Sequence, residues 1–323
     1  MKIVVLERNS AGIDIQMDYS DLGEVIYYPN TVTKEEVAER IKDADVVVAN
    51  KSPFCEETLK NAKKLKLICE LATGYDNCDL KYCKEHGIQV RNVVDYSTAM
   101  VAQHTFTLAL SLLGKLSHYD NYVKSGAYAA QDRFSNFDIP FYELDGKVWG
   151  IVGMGNIGKR VAKIAESFGC KVIFYSASGN STCTDYERVD LDTLLEKSDV
   201  LSLHCPLTDR TRYLIDEKAL DKMKSSAVLV NVARGAVVDN KALYDALVNK
   251  KIAAAGLDVL EQEPISLENP LGLLKDSNQL IITPHLAWAS VEARTRCVAE
   301  LRKNIEAFLR GEARNIVNPE WRE

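Results

Sequence analysis

The sequence predicts an α/β protein built on two parallel sheets, and three observations carry that expectation. Short apolar runs alternate with helix-like runs in two successive series, one over residues 1–98 and one from Lys147 onward. Such alternation sets strands side by side in one direction, with the helices crossing over on the sheet faces. The glycine-rich turn Gly153-Met154-Gly155-Asn156-Ile157-Gly158 follows an apolar run at 148–152 and opens a helical run at 159–168. The later apolar runs of the second series end in polar residues, among them His204, Arg234, Asp258 and His285. In open α/β sheets the carboxyl ends of the strands border the ligand crevice.

In the first series the strand-like runs are residues 2–6, 24–27, 45–49, 65–69 and 88–91, with helix-like runs at 33–42, 56–62 and 79–86. Thr33 followed by Glu36 is a capping-box pattern. No Gly-x-Gly-x-x-Gly occurs here, so this half is not expected to hold a dinucleotide. Leu71-Ala72-Thr73-Gly74 follows the fourth strand-like run. The amides of Ala72, Thr73 and Gly74 can hold a carboxylate there; a plain connecting loop is the bland alternative. Asn50-Lys51-Ser52-Pro53 ends the third run, and Lys51 is either a charge facing a ligand or a surface lysine.

Residues 97–124 read as one long helix, apolar nearly all round, which belongs in a large core or a subunit interface. Residues 125–146 lack periodicity and contain Tyr128, Phe134, Phe137 and Phe141. They form either an interaction arm or a surface loop tacked down by aromatics. The second series has six strand-like runs, 148–152, 171–175, 200–203, 227–232, 253–257 and 280–282, enough for a complete doubly wound sheet. A long helix at 290–310 and the coda Arg314-Asn315-Ile316-Val317-Asn318 follow.

Bulk properties narrow the function. A chain of 323 residues, 46% hydrophobic and 27% charged, has room for two domain cores. A net charge of −6 without long runs argues against nucleic acid or an anionic membrane as the main partner. No apolar run approaches the ~18 residues that span a bilayer. The N-terminal Met1-Lys2-Ile3-Val4-Val5-Leu6 reads as a first strand rather than a signal peptide. The eight cysteines form no Cys-x-x-Cys pair and no zinc spacing, so reduced thiols, a cytoplasmic location and no metal are expected.

The chemistry follows from residue types. Gly153 permits a tight turn, Gly155 lets a pyrophosphate approach the backbone, and Gly158 lets helix and strand pack closely. The amides near Asn156 and Ile157, at a helix N-terminus, then face the phosphates. Arg234 offers a planar fork for a substrate carboxylate. His285 can deliver a proton near neutral pH, and a carboxylate beside it, such as Glu263, would fix its ring. Arg, Glu and His beside a nicotinamide would reduce a 2-oxo acid. Taken singly, each is as well explained by an ion pair or a structural hydrogen bond; their recurrence at successive strand ends favours the joint reading.

With these segments in order, the chain resembles the D-isomer-specific 2-hydroxyacid dehydrogenases over essentially its whole length. The matching segments are the glycine motif, His204-Cys-Pro-Leu-Thr208, Val230-Asn-Val-Ala-Arg-Gly235, Gly256-Leu-Asp-Val259 with Glu263-Pro264, and Thr283-Pro-His285. Tyr96-Ser-Thr98, Ala102-Gln-His-Thr-Phe106 and His285-Leu-Ala-Trp288 resemble glycerate (hydroxypyruvate) dehydrogenases most.

The resemblance implies a Rossmann-type doubly wound cofactor domain, residues 99–286, inserted into a flavodoxin-like α/β substrate domain, residues 1–98 plus 287–323. It assigns 98–146 to a homodimer interface. It makes Arg234 the carboxylate binder, His285 the acid/base and Glu263 the residue that orients it. Ala72, Thr73 and Gly74 would share the substrate carboxylate; from their places in the chain alone, Lys51 could face the same cleft and Trp288 could help shape the substrate pocket. Asp258 would meet the nicotinamide amide, Val232 and Ala233 would line the cofactor, and His204, Pro206 and Thr211 would lie near the adenine. The implied reaction is NAD(P)-dependent reduction of hydroxypyruvate or glyoxylate; a D-3-phosphoglycerate dehydrogenase and a non-catalytic nucleotide sensor are the alternatives.

Two departures stand out. Many relatives carry Glu where this chain has Gln103. NAD-preferring members carry an acid for the ribose 2′-OH where this chain has Ser176, eighteen residues past Gly158, in Tyr175-Ser-Ala-Ser-Gly-Asn-Ser181. Without that carboxylate a 2′-phosphate is not repelled, and Ser176, Ser178 and Asn180 can donate to it, so NADP or dual use is expected. No Arg or Lys follows until Arg188, so no dedicated phosphate clamp is evident in the sequence.

Overall fold

The computed structural model describes residues 1–318; positions 319–323, the end of the segment assigned above to the substrate domain, lie outside the described residues. The chain divides into two units, one made of Met1–Ser97 and the chain from Ala289 onward, the other of Thr98–Trp288.

The first unit opens with β1 (Lys2–Val5), β2 (Glu24–Tyr27), α1 (Lys34–Ile41), β3 (Val46–Ala49), α2 (Glu56–Leu59), β4 (Leu67–Glu70), α3 (Leu80–Glu85) and β5 (Gln89–Arg91). The strands pair in the order β2-β1-β3-β4-β5, all parallel, which is the flavodoxin-like order. β3 and β4 are buried along their whole length, which is why Val-Val-Val-Ala and Leu-Ile-Cys-Glu show no alternation. The capping box at Thr33 and Glu36 is formed.

The second unit starts with α4 (Thr98–Leu113), α5 (Leu116–Lys124) and α6 (Ala127–Ala130). Then come β6 (Val148–Val152), α7 (Asn156–Ser167), β7 (Lys171–Tyr175), β8 (Glu187–Arg188), α8 (Leu191–Lys197) and β9 (Val200–Leu203). The unit closes with α9 (Glu217–Lys222), β10 (Val228–Asn231), α10 (Asn240–Val248), β11 (Ala254–Leu257) and β12 (Leu280–Ile282). The sheet order is β12-β11-β10-β9-β6-β7-β8, parallel throughout. Chain order reverses between β6 and β9, which puts the crevice of a doubly wound sheet at their carboxyl ends.

Three expectations change. The single helix over 97–124 is two helices, because Lys115 takes a left-handed conformation (φ 53°) after Gly114 and redirects the chain. α4 is not buried on every side either: Gln103, Thr107 and Leu110 form one exposed stripe at helical spacing. The second sheet has seven strands rather than six. β8 was invisible in the sequence because Glu187 and Arg188 are both exposed and carry no apolar pattern; it pairs with β7 through backbone and an exposed Lys171–Glu187 ion pair. The 125–146 segment contains one short helix, α6, and is otherwise irregular.

The last helix, α11 (Val291–Leu309), starts at the Ser290 N-cap and belongs to the first unit. Asn304, fully buried, donates to the Asn92 carbonyl at 2.8 Å. Arg91 donates to the carbonyls of Asn304 (2.9 Å) and Glu312 (2.8 Å), and the Val90 amide donates to the Asn318 side chain at 3.1 Å. No helix among the described residues is long and apolar enough to cross a membrane. The eight cysteines are free thiols.

Candidate active site

The glycine turn of the second unit is shaped at each of its three glycines. Gly153 has φ 93°, and a Cβ there would sit 2.8 Å from the His204 carbonyl oxygen. A Cβ on Gly158 would sit 2.1 Å from the Gly153 carbonyl oxygen, so helix and strand touch only because the side chain is absent. Gly155, the N-cap of α7, faces open space, with nothing within 4 Å of a Cβ. An anionic group can therefore approach the backbone at the positive end of a twelve-residue helix whose first residues are Asn156 and Ile157.

Beside this turn lies a cavity of about 670 Å³, lined by Gly153, Gly155, Ser176, His204, Pro206 and Thr211 among others. Its size suits the adenosine half of a dinucleotide. The Thr211 hydroxyl ties the wall together, donating to the Pro206 carbonyl (2.7 Å) and accepting from the Thr208 amide (2.8 Å). His204 meets Ser202 through Nε2 at 3.0 Å, while its buried Nδ1 has no partner among the described residues. Burial pushes its pKa down to about 3, so the ring is neutral near pH 7. At the end of β10, Val232 is half-buried and Ala233 is buried. Open backbone at Gly155, a neutral imidazole and a polar wall fit a nicotinamide dinucleotide.

The loop after β7 has Ser176 where the resemblance expects an acid. Ser176 is buried at the cavity wall, with Oγ 3.5 Å from Ser178 Oγ, which also accepts from the Asn180 amide at 3.2 Å. Arg188, distant in sequence, folds back onto this loop from β8 and donates to the Gly179 carbonyl at 2.9 Å. Arg210 lines the same cavity. Arg188 figured in the sequence only as the first basic residue after this segment, and Arg210 not at all, since no local signal ties β8 or the 206–211 loop to it.

Arg234, Glu263 and His285 occupy loops after β10, β11 and β12. The Arg234 loop is pinned by Asn231, whose side chain donates to the Arg234 carbonyl (3.0 Å) and accepts from the Ala233 amide (3.0 Å). A Cβ on Gly235 would lie 1.8 Å from the Leu260 carbonyl carbon, so this glycine lets the Arg234 loop lie flush on the chain leading to Glu263. Glu263 accepts from the Leu260 amide through Oε1 (3.0 Å) and holds His285 Nδ1 with Oε2 at 2.6 Å. The peptide bond between Glu263 and Pro264 is cis. His285 has φ 54°, a left-handed conformation uncommon for a residue with a side chain. Asp258 is 1% exposed, and its two oxygens accept from Thr283 Oγ1 (2.6 Å), the Leu286 amide (2.9 Å) and the Ala287 amide (2.8 Å). Trp288 is half-buried at the end of this segment.

In the first unit, Lys51 is exposed after β3, and the loop after β4 is shaped by Thr73, whose hydroxyl donates to the Val93 carbonyl at 2.9 Å. Ala72 and Gly74 flank it, half-buried. Two buried glutamates, unnoticed in the sequence, hold these loops. Glu7 accepts from the amides of Asn50 (2.8 Å) and Lys51 (3.1 Å) and from the Ser52 hydroxyl (3.0 Å). Glu70 accepts from the Asn77 amide group (3.1 Å) and the Cys78 thiol (3.0 Å) through Oε1. Their signal was a lone acid directly after an apolar run, which reads equally well as the start of a loop. Phe54, which follows Pro53, is fully buried in the core with Leu59 and Ile68.

A doubly wound sheet, a glycine cradle at its switch point, and Arg, Glu and His on adjacent strand ends define a dinucleotide-dependent oxidoreductase. The model of the D-isomer specific 2-hydroxyacid dehydrogenase NAD binding domain matches residues 106–287. A hydroxypyruvate reductase of Blautia hydrogenotrophica is 39% identical over 98% of this chain and 100% of its own. A glycerate dehydrogenase of Methylorubrum extorquens is 39% identical over 98% of each. The solved D-lactate dehydrogenase of Aquifex aeolicus, complexed with NAD and lactic acid, is 30% identical with a TM-score of 0.82, covering 98% of this chain and 99% of that one. The chain belongs to the D-isomer specific 2-hydroxyacid dehydrogenase family.

Proposed function

We propose that this enzyme reduces a small 2-oxo acid, hydroxypyruvate or glyoxylate, to D-glycerate or glycolate. The reading is carried by the 2.6 Å contact between His285 Nδ1 and Glu263 Oε2. Glu263 holds the Nδ1 proton, which leaves Nε2 to bear the proton that is transferred. Bound nicotinamide supplies the hydride to the carbonyl carbon. His285 Nε2 gives its proton to the carbonyl oxygen, and the Arg234 guanidinium holds the carboxylate as a two-pronged partner. Lys51, the Ala72–Gly74 backbone and Trp288 are proposed as further substrate contacts.

The cofactor is proposed to be NADP or both dinucleotides. Ser176 presents no charge to a 2′-phosphate, and Arg188 brings a cation to the same loop. A cytoplasmic homodimer is proposed, supported by the free thiols and by the exposed Leu116, Val123, Tyr128, Phe134, Phe137 and Phe141. A monomer in sedimentation equilibrium would overturn the dimer.

One substrate panel tests the whole reading. Hydroxypyruvate and glyoxylate are expected to be turned over many times per enzyme, and His285→Gln is expected to lower kcat by about 100-fold or more. Single-equivalent oxidation would make the protein a sensor. H285Q activity within tenfold of the parent would remove His285 as the acid. Fluorescence titration with NADH and NADPH addresses the cofactor, and a hundredfold preference for NADH would sink the NADP assignment.

A further inference from the structure

His104 on α4 was absorbed by none of the preceding roles, yet it is 6% exposed and sits in a chain of polar contacts within the second unit. Its Nε2 lies 2.9 Å from Thr283 Oγ1 and 3.5 Å from Asp258 Oδ1. Thr283 Oγ1 in turn lies 2.6 Å from Asp258 Oδ1. A hydroxyl has one proton, and the shorter contact to the carboxylate takes it. The threonine oxygen then accepts, so His104 must donate Nε2–H. Burial holds the His104 pKa below the ordinary imidazole value, which keeps the ring neutral and able to fill this role in one tautomer.

The position of His104 is set by packing. A Cβ on Gly256 would lie 2.9 Å from Leu108 Cβ and 3.3 Å from Leu112 Cδ1, so α4 lies against β11 as closely as a missing side chain allows. His104 is one helical turn before Leu108 on the same face, and this brings it to the carboxyl ends of β11 and β12.

The far end of the chain is the turn that carries His285. Asp258 takes the Leu286 amide at 2.9 Å and the Ala287 amide at 2.8 Å, and its own carbonyl takes the His285 amide at 2.8 Å. This holds His285 at its positive φ of 54°, a conformation that a free loop would leave. From these contacts we propose that His104 is a positioning residue: through Thr283 it fixes the Asp258 carboxylate, which holds the turn aiming the His285 ring. The proposal rests on His285 being the acid, as read above.

The test compares the parent with His104→Phe, His104→Gln, Thr283→Val and the double variant H104F/T283V. H104F is expected to lower kcat by about 10- to 100-fold, as a misdirected acid does. NADH affinity by fluorescence should stay within twofold. H104Q, which restores an N–H donor at nearly the same reach, should recover most of the activity. The double variant should be no worse than the poorer single one, because both break the same chain. H104F activity within threefold of the parent, H104Q as impaired as H104F, or multiplying losses would each overturn the proposal. The chain has five histidines, so the His285 ring resonance can be assigned by H285Q. It should move in H104F while that of His204 stays, and an unmoved His285 signal overturns the relay. If the parent turns over no 2-oxo acid, the functional reading fails, and the resonance alone then decides on the relay.

Discussion

Both units are parallel α/β layers, and several of their loops are held by different means. In the second unit the loops after β6 and β10 are fitted by shape, while the turn after β12 is held by the buried Asp258. Gly153, Gly158 and Gly235 lie where any side chain would strike backbone within 3 Å, so each turn has a single close-fitting arrangement. In the first unit the corresponding loops are fixed by hydrogen bonds to buried glutamates, with Glu7 collecting two amides and a hydroxyl and Glu70 an amide group and a thiol. The difference follows from what each must present. A pyrophosphate needs bare backbone, which side chains would obstruct. A loop that offers amides or a lysine outward needs an internal anchor behind it.

That contrast can be broken from either side. The largest effect is expected from Gly158→Ala, whose Cβ would meet the Gly153 carbonyl at 2.1 Å. Measurable NADH binding should vanish and stability should fall by about 1–3 kcal/mol. Retained binding in a fluorescence titration would mean that shape is not what holds the cradle. Next comes Glu7→Gln, which swaps one accepting oxygen for a donor facing the Lys51 amide and Ser52. A loss of about 1–3 kcal/mol in urea unfolding is expected, with NADH affinity unchanged. An unaltered unfolding midpoint would remove Glu7 as the anchor of the 50–52 loop.

The last effect, that of Glu70→Gln, is smallest near pH 4.5 and grows as pH rises. Burial raises the Glu70 pKa from its ordinary 4.5 to about 8. The folded state therefore keeps a proton that the unfolded chain has already lost. This contribution to stability is complete below pH 4.5 and declines as pH rises toward about 8, by at most about 1.4 kcal/mol per pH unit. Glu70→Gln removes the slope: the variant should match the parent near pH 4.5 and exceed it at pH 8.5. Parallel stability curves for the two proteins would show that Glu70 is ionised throughout.

Much of this was legible in the sequence because periodicity and glycine spacing are local signals. The Val-Val-Val-Ala and Leu-Ile-Cys runs announce buried parallel strands, and Gly153, Gly155 and Gly158 announce their own geometry. What was not legible depends on partners far along the chain. β8 exists only because its backbone meets β7. The break at Gly114 and Lys115 interrupts a run whose apolar pattern continues across it. Asp258 reads as a strand-end acid, and only the folded chain reveals that Thr283, Leu286 and Ala287 occupy it. Arg188 stands twelve residues past Ser176 in the sequence, and only the fold brings it back onto the Ser176 loop from an edge strand without hydrophobic pattern.

The stitching of α11 into the first unit has a consequence for how the protein is made. Arg91 and Val90 bond to Asn304, Glu312 and Asn318 across 213, 221 and 228 residues of chain. All of Thr98–Trp288 is synthesised in between, and that stretch has its own sheet and core. On the ribosome the second unit can close while the first still waits for its last helix. Until then β5 offers a buried arginine and unpaired amides to whatever is near. The birth of this molecule thus runs from the middle outward, and the segment translated first is among the last to be finished.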